Sequence, residues 1–134
     1  METFDWKEDV HLLCNTAKSF PDGIQESFDG LENNVPEVEK RTWYGISYMN
    51  EKGEIIYKAA LNKLTPGEAT EFESFTITKG TYLSEVITDW MKNPAQIGES
   101  FQKLLTDPRL DTSFPCVEWY YSADDVRCMI RLRD

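Results

Sequence analysis

A single glutamate, Glu118, stands inside a strand-like run at residues 115–121, PCVEWYY. Strands favour β-branched and aromatic residues and place alternate side chains on opposite faces. Glu118 is therefore expected to share one face with Cys116 and Tyr120. A carboxylate among such neighbours needs a charged partner, a ligand or a wet cavity. Two interpretations follow: Glu118 serves a binding site, or it is a half-exposed residue paired with a nearby arginine.

Arg131 is the arginine that decides between these interpretations. The last strand-like run alternates Cys128, Ile130 and Leu132 with Met129 and Arg131. Arg131 could therefore share the face of Glu118 and neutralise its charge. Such an ion pair would weaken the case for a cationic ligand.

The rest of the sequence offers few residues for metal or cofactor chemistry. His11 is the only histidine, and Cys14, Cys116 and Cys128 form no C-x-x-C pair. Neither a zinc site nor a complete disulfide framework is expected from this set. The glycines are isolated, so no phosphate-binding loop is predicted. We therefore expect neither a metal nor a cofactor.

The charge balance argues against several classes of partner. The 134 residues include 24 acidic and 14 basic side chains, and the formal net charge is -10. This charge opposes direct binding to nucleic acid or to an anionic membrane surface. The opening METFDW has neither the basic start nor the apolar core of a signal peptide. We expect one domain, residues 1–134, in the reducing cytoplasm.

Hydrophobic periodicity predicts seven strands and two helices. The first helix is expected to start at residues 19–22, with Ser19 as its cap and Pro21 in its first turn. The second is expected to begin near residues 93–94 and to end before Pro108. The strands are predicted at residues 8–16, 42–49, 54–61, 71–78, 81–88, 115–122 and 128–134.

The two predicted helices share a sequence pattern. Residues 21–31 (PDGIQESFDGL) and 94–104 (PAQIGESFQKL) are identical at six of eleven positions, at an offset of 73 residues. The same offset aligns the flanking strands, which indicates two strand-helix-strand-strand units. Repeat one is predicted at about 8–63, a linking strand at about 68–78, and repeat two at about 81–134. The predicted fold is α+β: an antiparallel sheet, two helices on one face, and a cleft on the pseudo-twofold axis.

The repeat also assigns side chains to the two sheet faces. One set, expected to face the helices, consists of Tyr44, Ile46 and Tyr48 with Val117, Trp119 and Tyr121. The other set, expected on the free face, consists of Trp43, Gly45 and Ser47 with Cys116, Glu118 and Tyr120.

Gly45 is the counterpart of Glu118 in this alignment. Because one unit offers no side chain and the other a carboxylate, the repeat predicts a single asymmetric site with room above the glycine. Trp43 and Tyr120 are expected to form its walls. Aromatic walls around one carboxylate suit an apolar or cationic organic ligand.

Three more aromatic residues are candidates for this region. Tyr82 is expected on a strand that borders the cleft, and Trp90 just before the second helix, where it would cover the edge of the cleft. Trp6 belongs to a terminal segment expected either to be disordered or to fold over the cleft.

The order of elements and the VEWY motif at residues 117–120 resemble the GyrI-like family. These are effector-binding domains related to the gyrase inhibitory protein and found attached to AraC-type and MerR-type regulators. The SFP helix entry at 19–21, the YGI strand at 44–46 and the ITKGTY segment at 77–82 also match. The resemblance spans nearly the whole chain. It implies a duplicated domain whose central cleft binds small, often cationic and aromatic molecules, with Glu118 at its base.

Three functions follow as expectations. The first is a stand-alone bacterial binding protein for small amphipathic molecules, because the helix-turn-helix domain of the regulators has no counterpart in this sequence. The second is a hydrolase of reactive electrophiles, because a subset of the GyrI-like family resembles hydrolases. In this function Glu118 would activate water and Tyr120 would donate a hydrogen bond. The third is an acidic module that binds a basic protein partner.

Overall fold

The computed structural model describes residues 1–134 as an α+β fold. Its main elements are β1 (Glu2–Trp6), β2 (Val10–Thr16), α1 (Ile24–Asn34), β3 (Trp43–Met49), β4 (Ile55–Asn62), β5 (Glu73–Ile77), β6 (Gly80–Ile87), α2 (Ala95–Leu104), β7 (Cys116–Tyr120) and β8 (Val126–Arg131). Short 3-10 helices at Val38–Lys40 and Trp90–Lys92 precede β3 and α2. Neither α1 nor α2 has the length and hydropathy needed to span a membrane.

All eight strands belong to one antiparallel sheet with the order β1-β6-β8-β7-β3-β4-β2-β5. The central neighbours are β3 and β7. Outward from β3 lie β4, β2 and β5, and outward from β7 lie β8, β6 and β1. The strands that carry the two predicted units are therefore arranged in the same order on either side of the centre.

The sheet curls until side chains from its two ends meet. Ile77 of β5 and Tyr82 of β6 belong to the same buried cluster as Ile46 and Val117 of the central strands. Residues of β1 pack against this cluster as well. The face that carries no helix is therefore buried by the sheet itself.

The two helices cover the opposite face side by side. Leu31 of α1 packs with Leu61 of β4, and Leu104 of α2 packs with Ile130 of β8. These four side chains are almost fully buried, which is the usual outcome when an amphipathic helix lays its apolar stripe on a sheet. Each half of the sheet thus has its own helix.

The predicted assignment of the two sheet faces is wrong. The residues expected beneath the helices lie on the helix-free face: Tyr44, Ile46 and Val117 are in its buried cluster, and Trp119 packs against it. The residues expected on the free face lie beneath the helices: Trp43 packs with α1, and Cys116 and Tyr120 pack with the α2 cluster. Alternation shows which residues share a face, whereas the packing of other elements decides which face the helices cover.

Two predictions for the N-terminal third also differ from the structure. Helix α1 begins at Ile24 because the residues before it form a turn, in which the Gly23 N–H donates to the Ser19 carbonyl at 3.1 Å. No side chain caps α1, so Ser19 has no capping role. The terminal segment is strand β1, paired with β6, and Trp6 contacts Tyr82 and Trp119 on the helix-free face instead of covering the helix side.

Candidate functional site

A groove of about 1110 Å³ lies between α1 and α2 above the central strands. Its walls are mostly hydrophobic, and its aromatic lining includes Phe28, Trp43, Tyr57, Trp90, Phe101 and Tyr120. Glu118 is the acidic residue in its floor, whereas Glu32 of α1 also lines it but is exposed. A cavity of this size with few polar groups is typical of a site for a small organic molecule.

A second cavity of about 810 Å³ lies along α2 and β6 and has a different character. Its lining is mostly polar and contains no aromatic side chain. Lys103 there already donates from Nζ to the Glu85 carboxylate at 2.9 Å. The groove above Glu118 is therefore the candidate site.

The Glu118 side chain is held by two tyrosine hydroxyls. Tyr57 of β4 donates to Glu118 Oε1 at 2.9 Å, and Tyr120 of β7 donates to the same oxygen at 2.5 Å. The residue is only 7% exposed. The second oxygen, Oε2, receives no hydrogen bond from the protein, and Glu118 forms no ion pair. A buried carboxylate without a counter-charge is uncommon and points to a role for that charge.

Arg131 does not neutralise Glu118. Its guanidinium lies on the helix-free side, where it contacts the Tyr82 and Phe114 rings and donates to Thr78 Oγ1 and Asp134 Oδ1, each at 3.1 Å. The predicted alternative of a Glu118–Arg131 pair is therefore excluded. The reason is the strand register, because Glu118 pairs with Cys128, an odd number of residues from Arg131.

Gly45 makes room for this arrangement. It is paired directly with Glu118, at the centre of the β3–β7 ladder. A methyl group at residue 45 would overlap the Tyr57 hydroxyl and lie 2.6 Å from Glu118 Oε1. The space above Gly45 is thus filled by the carboxylate and its tyrosine partner.

Burial governs the ionisation of the groups in the groove floor. It raises the pKa of Glu118, and the hydrogen bonds from Tyr120 and Tyr57 oppose this shift without cancelling it. Burial and the nearby carboxylate also raise the pKa of both tyrosines. The pKa of the neighbouring Cys116 thiol rises to about 11 for the same two reasons. The tyrosines and the thiol thus stay neutral at neutral pH, and Glu118 is the group whose charge can respond to a ligand.

Aromatic rings line the groove from both halves of the chain. Phe28 of α1 contacts Trp43 with ring centroids 5.5 Å apart, and Trp90 contacts Tyr120 at 5.2 Å. Phe28 and Tyr120 are 6.4 Å apart with perpendicular rings, so the aromatic lining contributed by the two halves is continuous. Flat, polarisable walls of this kind suit an aromatic ligand or an organic cation.

No family model matches the chain, and no curated protein matches it. Solved structures that share its fold at low sequence identity include the following three. An integron cassette protein from the mobile metagenome of Vibrio cholerae is 16% identical, with a TM-score of 0.72 over 98% of this chain and 95% of that one. SAV2435 bound to tetraphenylphosphonium is 11% identical, with a TM-score of 0.70 over 98% and 93%. A putative transcription regulation protein from Staphylococcus aureus is 11% identical, with a TM-score of 0.62 over 99% and 97%. The fold of this chain is that of these three proteins.

The structure brings most of the candidate residues of this fold together. Glu118 and Tyr120 are in the groove floor, Trp43 and Trp90 are in its walls, and Gly45 lies beneath the carboxylate. Tyr82 is the exception. It is 2% exposed in the helix-free cluster, where its hydroxyl donates to the Thr78 carbonyl at 2.7 Å.

Tyr57 is a residue of the candidate site that the sequence analysis did not identify. The β3–β4 hairpin pairs Ser47 with Tyr57 and Gly45 with Ala59, which places Tyr57 on the Gly45 face. The NEKG segment at residues 50–53, between the two strands, has the composition of a hairpin turn, and such a turn sets the register that brings Tyr57 to this face. What the turn does not show is that the side chain leans over Gly45 to reach Glu118.

The site has no arrangement suited to a metal ion. Nowhere in the chain do three or more histidine, cysteine, aspartate or glutamate side chains form a cluster that could hold one. All three cysteines are free thiols. The chemistry available in the groove floor is that of the Glu118 carboxylate, hydroxyl groups, the Cys116 thiol and aromatic faces.

Proposed function

We propose that this chain is a GyrI-like domain that binds small amphipathic organic molecules, aromatic and cationic, in the groove between α1 and α2. The observation that carries this proposal is the Glu118 carboxylate, buried at the base of an aromatic groove without a counter-charge. A cationic ligand above Oε2 would supply that charge.

The energetics of burial favour a cation over a neutral ligand. Desolvation penalises the charged form of Glu118 and raises its pKa. A positive charge within about 4–6 Å favours the charged form and reverses the shift. The aromatic walls add cation-π attraction, which is strongest where water is excluded. Charge and shape therefore select the same class of ligand.

The internal symmetry of the fold supports the position of the site. The strand order is the same outward from β3 and from β7, and Gly45 and Glu118 form the central pair between them. This is the arrangement that a duplication of two strand-helix-strand-strand units would produce, with the ligand cleft on its pseudo-twofold axis. That a protein with this fold binds tetraphenylphosphonium supports a lipophilic cation as the ligand class.

Titration with a matched pair of compounds tests the proposal. Methyltriphenylphosphonium carries a positive charge, whereas triphenylphosphine oxide has a similar body and no net charge. The native protein should bind the cation more tightly, and Glu118→Gln should weaken cation binding by roughly tenfold or more while changing the neutral compound little. Equal effects of the substitution on both compounds would overturn the role of Glu118, and no binding of either would overturn the site.

Hydrolysis is a second candidate function, favoured by the raised pKa of Glu118, since a stronger base is better suited to activating water. The hydrogen bonds argue for binding instead. Tyr120 donates its only O–H to Glu118 and so has no proton to offer a developing oxyanion. Mass spectrometry of reactive electrophiles incubated with the native protein and with Glu118→Ala distinguishes the two functions. Products formed only by the native protein would establish turnover.

A further inference from the structure

The two hydroxyls that hold Glu118 bind the same carboxylate oxygen. Tyr57 and Tyr120 both donate to Oε1, at 2.9 and 2.5 Å, and Oε2 has no protein donor. A carboxylate has about four lone-pair sites, two on each oxygen. The protein therefore uses the acceptor capacity of Oε1 and leaves Oε2 as the acceptor available to a ligand.

This division between the two oxygens bears on which cations can bind. Amidinium and guanidinium groups bind carboxylates best through two parallel N–H bonds, one to each oxygen. With Oε1 already saturated, such a group loses one of the two bonds and keeps an N–H without an acceptor in an apolar groove. A tertiary ammonium has one N–H and needs one oxygen, and a quaternary onium needs none.

The hydroxyl of Tyr57 cannot easily move aside to release Oε1. Tyr57 is 4% exposed, and its ring is flanked by Phe20 and Phe28, each with centroids 6.1 Å away. Its oxygen occupies the space that Gly45 leaves open, next to the carboxylate. The donor comes from β4 and the acceptor from β7, so their separation is set by the paired strands.

We infer that Tyr57 is a specificity-determining residue: by occupying Oε1 it makes the groove select onium and single-donor ammonium ions against planar two-donor cations such as amidinium. This inference rests on the proposed ligand site in the groove. Tyr57 acts through the Glu118 carboxylate and is a positioning residue for it.

Three ligands with one biphenylmethyl body and different head groups test the inference. The head groups are trimethylammonium, dimethylammonium and acetamidinium, which offer no N–H, one N–H and two parallel N–H bonds. Calorimetry gives the dissociation constants for the native protein, for Tyr57→Phe and for Tyr44→Phe. Tyr44 is the matched control because it is 5% exposed and lies in the helix-free cluster.

The expected result is a change in selectivity. The native protein and Tyr44→Phe should bind dimethylammonium more tightly than amidinium, and Tyr57→Phe should shift the ratio of the two constants toward amidinium by about tenfold. The hydration free energy of each head group cancels when the ratio is compared between proteins, because the same compounds are measured on each protein.

Other outcomes would overturn the inference or the proposed function separately. A uniform change of all three affinities in Tyr57→Phe reflects a general effect of the substitution and overturns the selective role of Tyr57. Native binding of amidinium as tight as that of dimethylammonium also overturns it, while leaving the ligand site intact. If no compound binds the native protein, the proposed function itself fails.

Discussion

Gly45 and Glu118 are directly paired across the β3–β7 ladder, and the Glu118 carboxylate occupies the space left open by the missing side chain of Gly45. The Tyr57 hydroxyl shares this space and donates to the carboxylate. A small residue on one strand thus permits a buried charge on the next. A side chain at residue 45 would therefore displace the Tyr57 hydroxyl or the Glu118 carboxylate.

Gly45→Ala should destabilise the fold and weaken ligand binding. The added methyl group would overlap the Tyr57 hydroxyl and crowd Glu118, and overpacking of this kind costs roughly 1–3 kcal/mol of unfolding free energy. Urea unfolding measures the change. Gly67→Ala is the matched control, because a methyl group there has no neighbour within 4 Å. Equal stability of the two variants would contradict the crowding at Gly45.

The unfolding free energy of Glu118→Gln, taken relative to that of the native protein, should increase with pH. The pKa of Glu118 is raised in the folded state above the ordinary value of 4.5, so the folded protein binds more protons than the unfolded chain between those two values. The native unfolding free energy therefore falls, relative to that of the glutamine variant, as pH rises through this window, and the difference is constant on either side of it.

Urea unfolding over a pH series checks this effect. Glu71→Gln, at an exposed position, provides the control for removal of one negative charge. A difference between native protein and Glu118→Gln that does not change with pH would show that the Glu118 pKa is not raised.

Binding of a lipophilic cation should weaken as pH falls through the pKa of Glu118 in the free protein. The charged carboxylate attracts the cation, and the protonated form does not. Four groups near the carboxylate do not titrate in this range, because burial raises the pKa of Cys116 to about 11 and of Cys128 to about 12, and raises those of Tyr57 and Tyr120 as well. Affinity should level off above the Glu118 pKa.

Proton release distinguishes this mechanism from a general effect of pH on the fold. Where Glu118 is protonated in the free protein, cation binding must displace its proton. Calorimetry in two buffers of different ionisation enthalpy measures the number of protons released. Release of the same number by Glu118→Gln would contradict the assignment to this carboxylate.

Ligand binding should quench the fluorescence of only part of the tryptophans. Trp43 and Trp90 line the groove, whereas Trp6 and Trp119 contact each other on the helix-free face, with centroids 5.2 Å apart. The double variant Trp43→Phe, Trp90→Phe should therefore lose most of the quenching by a phosphonium compound, and Trp6→Phe should retain it. The reverse pattern would place the ligand on the helix-free face.

The sequence by itself determined the order of the elements from β2 onward and which residues share a face, whereas it did not predict strand β1. Helix and strand periodicity are local properties, so all seven predicted strands and both helices are present with small changes at their ends. The offset of 73 residues also aligned Gly45 with Glu118, the two residues that the sheet pairs. Glu118 could be recognised as a candidate site residue because a carboxylate within an aromatic strand is also a local pattern.

Only the tertiary structure decided which face the helices cover and what surrounds Glu118. Alternation defines two faces of the sheet but does not show which of them the helices cover. The curl of the sheet buries the face that has no helix. Tyr57 reaches Glu118 from 61 residues away, and Arg131 is carried to the far side by strand register. Contacts between distant strands depend on how the whole sheet assembles, so local sequence patterns cannot show that Glu118 is both buried and without a counter-charge.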